Sequence, residues 1–229
     1  MTDSRYNVLA AVARGVRVGT LPPGARLEHP GPPPPLDRPS DREGMVASFT
    51  RELETLMGTV HRVADDEQAK ARVFALLDAR GVRRVLAWDD RWLRPAGLGH
   101  ALRTAGIVTE SCWLPPDGPD RTARLKALDD VVVGITGAYG ALADTGSLVV
   151  DSGPGRGRIA SLLPPVHIAV IGADQLSPTL AAFLSANPDI ADVGSNVVAI
   201  TGPSRTGDIE GTLVQGVHGP GDLHVVIVG

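Results

Sequence analysis

The residues with chemical potential in this 229-residue sequence gather in four polar, glycine-rich segments of its second half. The first runs from Gly134 to Ser147 and holds Thr136, Gly137 and the triplet Asp144-Thr145-Gly146. Glycines there let backbone amides approach a bound molecule, and Asp144 with Thr145 could bind or polarise it. The same residues would also serve as a tight packing joint between a strand, a helix and a strand. A dinucleotide fingerprint fits poorly, because the glycines recur at three-residue spacing without the long helix a pyrophosphate requires. The second segment, Asp151 to Arg158, alternates Gly153, Gly155 and Gly157 with Arg156 and Arg158. Successive amides plus two guanidinium groups suit a carboxylate or phosphate. A solvated loop with surface ion pairs is the alternative, since no lysine or hydroxyl completes a phosphate loop.

The third segment, Thr201 to Gly211, places Ser204, Arg205, Thr206, Asp208 and Glu210 after the apolar run Val197–Thr201. Ligands of α/β sheets collect at the carboxyl ends of strands, so position favours binding here. The fourth is Gly216-Val217-His218-Gly219-Pro220, in which His218 could act as acid, base or ligand. His224, across the same turn, could approach it in a hairpin. A transition-metal site needs three or four ligands, and no further His/Cys grouping exists, so no metal is expected. Ser204 lacks the G-x-S-x-G elbow of a nucleophilic serine. His100 and His167 read as structural, one in a helix and one opening a strand.

The elements that must position these segments follow from periodicity. A short helix ending near Val16 precedes a proline-rich stretch, residues 19–43, that contains Pro32–Pro35 and reads as extended chain. Helices are then expected over 41–56, 65–79, 98–105 and 121–128, the second opened by the carboxylates Asp65-Asp66-Glu67, and strands over 59–63, 82–88 and 107–109. Such alternation argues for an α/β fold of three layers, α/β/α, around a mostly parallel sheet. Beyond residue 130, short strands near 131–136, 147–151, 166–171, 196–201, 212–217 and 223–228 surround one helix, 174–185. Strands so close together imply a mixed or antiparallel C-terminal extension. The expected organisation is an N-terminal helix and Pro-rich arm, 1–43, followed by one α/β domain, 44–229.

Composition narrows the function. A net charge of −4 and a pI near 5.8 leave no electrostatic footprint for nucleic acid. Lys70 and Lys126 are the only lysines, and neither lies in a glycine-rich motif, which argues against a Schiff-base or phosphate-loop lysine. Cys112 is the only cysteine, so a cysteine-ligated iron–sulfur cluster or multi-cysteine zinc site in this chain is excluded. With no basic neighbour in sequence, Cys112 gives weak grounds for a redox-regulator reading. No apolar run is long enough for a membrane span, and the first residues lack the order of a secretory signal, which makes the cytoplasm the expected location.

Five blocks, taken in order, resemble the lactate utilization protein C family, whose domain is called LUD. They are Gly134-Ile135-Thr136 with Ala143–Ser147, then Ser152–Arg156, Leu163–Val170, Thr201–Glu210, and Gly216–Pro220 with Leu223-His224-Val225. The sequence departs from the family pattern at Tyr139 and at Asp144, where relatives carry an acidic residue and often Glu respectively. The resemblance implies a fold similar to the sugar-phosphate isomerase and coenzyme A transferase superfamily. It also implies a part in oxidising L-lactate to pyruvate beside separate iron–sulfur subunits. Two functions remain in view. In one, the chain is a cytosolic binding subunit: Arg156, Arg158 and Arg205 hold a small anionic metabolite, Asp144, Ser204 and Asp208 orient it, and Thr136, Gly137, Thr145, Gly146, Gly153, Gly155, Thr206, Glu210 and His218 complete the site. In the other, it is a free-standing isomerase-like or acyl-coenzyme A transferase-like enzyme with Asp144 as catalytic base or nucleophile. No covalently bound cofactor is expected, and the sequence names no organic one.

Overall fold

The fold is given by a computed structural model that describes residues 41–209 and 212–229. The expected N-terminal helix, nearly all of the proline-rich arm, and Glu210 lie outside the described residues. Helix α1 (Arg42–Thr55) starts at Asp41, whose carboxylate accepts from the Gly44 amide. It buries Val46, Phe49 and Leu53, a 3–4 residue spacing that forms one apolar stripe. Strand β1 (Thr59–Val63) follows, and then helix α2 (Asp66–Asp78), capped by Asp65 on the Gln68 amide at 2.8 Å. Strand β2 (Arg84–Ala87), helix α3 (Leu98–Thr104), strand β3 (Val108–Ser111) and helix α4 (Pro119–Ala127) complete the alternating half.

In the second half, β4 (Val133–Thr136), β7 (Val166–Gly172) and β12 (Asp222–Val228) join the first three strands. The resulting six-stranded sheet runs β1-β12-β7-β4-β2-β3, and every pairing in it is parallel. β4 and β7 are buried throughout, as expected for strands covered on both faces.

The mixed part is a sheet of its own rather than an edge of the first. Strands β5 (Gly140–Leu142), β6 (Ser147–Ser152), β8 (Leu176–Ser177) and β9 (Asn196–Ile200) are ordered β8-β5-β6-β9, and β10 (Arg205–Ile209) with β11 (Thr212–Gln215) forms a hairpin. One face of the mixed sheet, through Ala141, Leu148 and Val150, shares the main hydrophobic core with the parallel sheet. The other, through Leu142 and Val149, packs on Phe183 and Ile190 of helices α5 (Leu180–Ala186) and α6 (Ile190–Val193). The protein is thus a layered α/β fold with a parallel sheet flanked by helices. The single helix expected over 174–185 is broken: Pro178 has no amide to donate, and Thr179 caps a new helix on the Ala182 amide. No helix among the described residues is long and apolar enough to cross a membrane.

Candidate functional site

Two strand ends and two turns enclose a cavity of about 220 Å³. Its floor is His167 and Leu223, each the second residue of its strand, β7 or β12, and direct neighbours in the ladder. Its walls are Ser161 and Leu162 before β7, the segment Ala199–Gly202 leaving β9 with Ser204 beyond it, and His218-Gly219-Pro220 before β12. Two backbone bonds tie the turns together: the Ser204 amide donates to the Pro220 carbonyl at 2.7 Å and the Gly216 amide to the Ser204 carbonyl at 2.9 Å. The site therefore faces the amino ends of the parallel strands. The carboxyl-end argument for the 201–211 segment does not apply, because β9 belongs to the mixed sheet.

The ladder pairs His167 with Gly134, which puts His167, Gly134 and Thr136 on one face of the sheet. His167 Nε2 lies 2.8 Å from Thr136 Oγ1, and both residues are buried. Its Nδ1 has no hydrogen-bond partner. Burial alone pushes the imidazole down from 6.5 to about 4, so the ring is neutral near pH 7. On the opposite wall, Thr201 Oγ1 lies 2.9 Å from Ser147 Oγ, which lies 2.8 Å from Thr145 Oγ1. No arginine, lysine, aspartate or glutamate lines the cavity among the described residues. It offers hydroxyls and imidazoles, not fixed charge.

The sequence profile of the LUD domain matches residues 46–228. This chain belongs to the LUD domain family. Three proteins named lactate utilization protein C are among its relatives. The one from Exiguobacterium sp. (strain ATCC BAA-1283 / AT1b) is 30% identical across 98% of this chain and 96% of its own. Those from Shouchella clausii and Deinococcus radiodurans are 32% and 30% identical, covering 76% and 86% of this chain and 75% and 86% of theirs. A crystal structure of a DUF162 family protein from Deinococcus radiodurans superposes with a TM-score of 0.57 at 25% identity, covering 83% of this chain and all (100%) of the other.

Within this LUD domain the expected site residues separate. Ser204 and His218 line the cavity, and Thr136 and Thr145 reach it indirectly, through His167 and through the Ser147–Thr201 hydroxyls. Arg205 lines an adjoining cavity of about 380 Å³ that shares Ala199, Thr201 and Gly202 with the first, and its guanidinium donates to the Leu56 carbonyl. Thr206 and Asp208 lie on β10, where Thr206 pairs with Val214.

Arg156 and Arg158 line neither cavity. Arg156 is buried: its Nε donates to Asp151 at 2.6 Å, and its guanidinium lies 4.1 Å from the centroid of the Trp92 ring. Arg158 is exposed at the start of a short 3-10 turn, Arg158–Ser161. The loop that carries these arginines uses its carbonyls: Trp92 Nε1 donates to Pro154 O, the Asp89 amide to Gly155 O, and Trp88 Nε1 to Gly157 O. Gly153 packs on the Arg156 guanidinium, while Gly155, at φ 79°, leaves no space for a side chain beside Asp89. This loop clasps the carboxyl end of β2 rather than presenting successive amides to an anion.

Asp144, half-buried, lies in the turn between β5 and β6, and Gly146 ends that turn at φ 64° against the backbone of Leu53 on α1. Gly137 abuts the Trp92 carbonyl. Neither glycine nor Asp144 lines the cavity.

His224 does not approach His218. It points to the opposite face of the sheet, where its Nδ1 is 3.0 Å from His61 Nε2 and its Nε2 is 3.1 Å from Asp222 and 2.7 Å from Arg80. Desolvation, followed by the neighbouring His224 charge, lowers His61 to about 4.

The sequence reading took His167 as structural and did not single out Ser161. A signal existed for His167: it is the one polar side chain in the fully buried run Val166–Ile171.

Proposed function

We propose that this chain is a binding component of a lactate-utilization system, and that the cavity between His167, Ser204 and His218 receives a small 2-hydroxy or 2-oxo carboxylic acid. The pathway rests on the names of relatives matched over most of their length. The single observation that supports the ligand class is the lining: hydroxyls and imidazoles, with no charged side chain among the described residues, around a volume of about 220 Å³. A few-carbon acid suits that volume, and neutral donors such as Thr201 and Ser204 would hold its oxygens. Arg205, in the adjoining cavity, would bias the region towards an anion. Iron–sulfur clusters that carry the electrons would reside on separate partner subunits, because clusters are held by several thiolates and Cys112 stands alone. The thiol of Cys112 is pushed up to about 12 by burial and donates to the Ala87 carbonyl, so it is no thiolate ligand or nucleophile near neutral pH.

Calorimetric titration of the purified protein with L-lactate, pyruvate, a sugar phosphate and coenzyme A tests this reading. Lactate or pyruvate is expected to bind, and Ser204→Ala to weaken binding by roughly three- to tenfold with the unfolding midpoint unchanged. Binding of the sugar phosphate or coenzyme A alone would transfer support to an isomerase-like or transferase-like enzyme.

A further inference from the structure

Resting on the cavity reading above, we infer that His167 presents its Nδ1–H as a hydrogen-bond donor to an acceptor oxygen of the bound acid, with Thr136 fixing that tautomer. His167 is 1% exposed and lines the cavity floor, and its ring makes a single hydrogen bond among the described residues, to Thr136 Oγ1 at 2.8 Å. Thr136 is fully buried and makes no other side-chain hydrogen bond among the described residues.

Two arrangements of the shared proton are open, and they leave different numbers of groups unmet. If Nε2–H donated to Thr136, the threonine hydroxyl proton and the bare Nδ1 would both be buried without a partner. If the Thr136 hydroxyl donates to Nε2, only Nδ1–H is left. Buried polar groups are almost always paired, and each unmet one costs on the order of 1–3 kcal/mol. The second arrangement therefore prevails, and its one unmet donor belongs to a residue on the cavity floor.

A donor in that position selects for chemistry. A carbonyl or carboxylate oxygen accepts from it, whereas an ammonium group would meet N–H against N–H. The hydroxyls of Thr201 and Ser204 on the opposite wall can serve the acid's remaining oxygens, donating or accepting as required. His167 is thus a specificity-determining residue for oxygen acceptors, and Thr136 is a positioning residue that acts through it.

The test combines tautomer and affinity. In protein labelled with 15N-histidine, long-range proton–nitrogen correlation should show His167 protonated on Nδ1 without ligand. Saturating pyruvate should then shift that nitrogen, while isopropylammonium, a cation of similar size with no acceptor oxygen, should not. His167→Asn, which keeps an N–H donor close to the Nδ1 position, should bind pyruvate within a few-fold of the parent. His167→Phe should lose about tenfold or more. An Nε2-protonated ring in the free protein overturns the inference, and this reading needs no variant to fold. Pyruvate binding that leaves the His167 resonances unmoved also overturns it, while the cavity's affinity for small acids stands. If neither pyruvate nor lactate binds, both the cavity reading and this inference fall.

Discussion

His167 is neutral in the folded protein because its ring is cut off from water, which pushes it from 6.5 to about 4. An unfolded chain has no such constraint and takes up the proton near 6.5. Stability from this residue is therefore fully present above about pH 6.5 and is lost as pH falls from there towards 4, by on the order of 3 kcal/mol. His61 and His224, both lowered by desolvation, act in the same direction. Urea unfolding between pH 7.5 and 4.5 should show this decline, with a shallower slope in His167→Asn; parallel curves would contradict it. Arg156 makes a second residue-level case. Removing it in Arg156→Ala leaves Asp151 buried without its cation and should cost about 3–5 kcal/mol in the same measurement. Arg158→Ala, at an exposed position, should change stability by less than about 0.5 kcal/mol. From sequence the two arginines look alike; only the fold reveals that one is packed between Asp151 and Trp92.

At the scale of elements, β4 and the turn Arg158–Ser161 make the closest approach bearing on the cavity. A Cβ on Gly134 would lie 1.8 Å from the Ala160 carbonyl oxygen. Gly134→Ala must therefore push this turn off the sheet and displace Ser161 from the cavity wall. The variant should lose several degrees of melting temperature and weaken acid binding together. The alternating half was legible in the sequence, since carboxylates at Asp41 and Asp65 mark helix starts and apolar stripes set their period. Removing that signal in Asp65→Ala should cost about 1 kcal/mol by thermal unfolding. In the glycine-rich half, strands such as β5 and β8 span three and two residues, too short for a period-2 pattern to register. Pairing partners, not local composition, make them strands. Ser204 and His218 could be singled out as polar turn residues, whereas His167, the one polar side chain of an apolar strand, reads as structural until the cavity beside it is seen.

At the scale of the molecule, two sheets share one core, and the cavity exists only where their ends meet: β7 and β12 from one, β9 from the other. β12 lies between β1 and β7, and it is the only strand that β1 pairs with among the described residues. A chain cut before Asp222 loses two ladders of the central sheet and half the cavity floor. It should be digested readily by protease under conditions where the full chain resists. The same arrangement bears on how the protein is made. The ladder neighbour of Thr59 is His224, so a nascent chain carries β1 as a bare strand until β12 has been made. Until β12 emerges, that edge is open to other growing polypeptides, and this stage of synthesis is where chaperone binding would matter most.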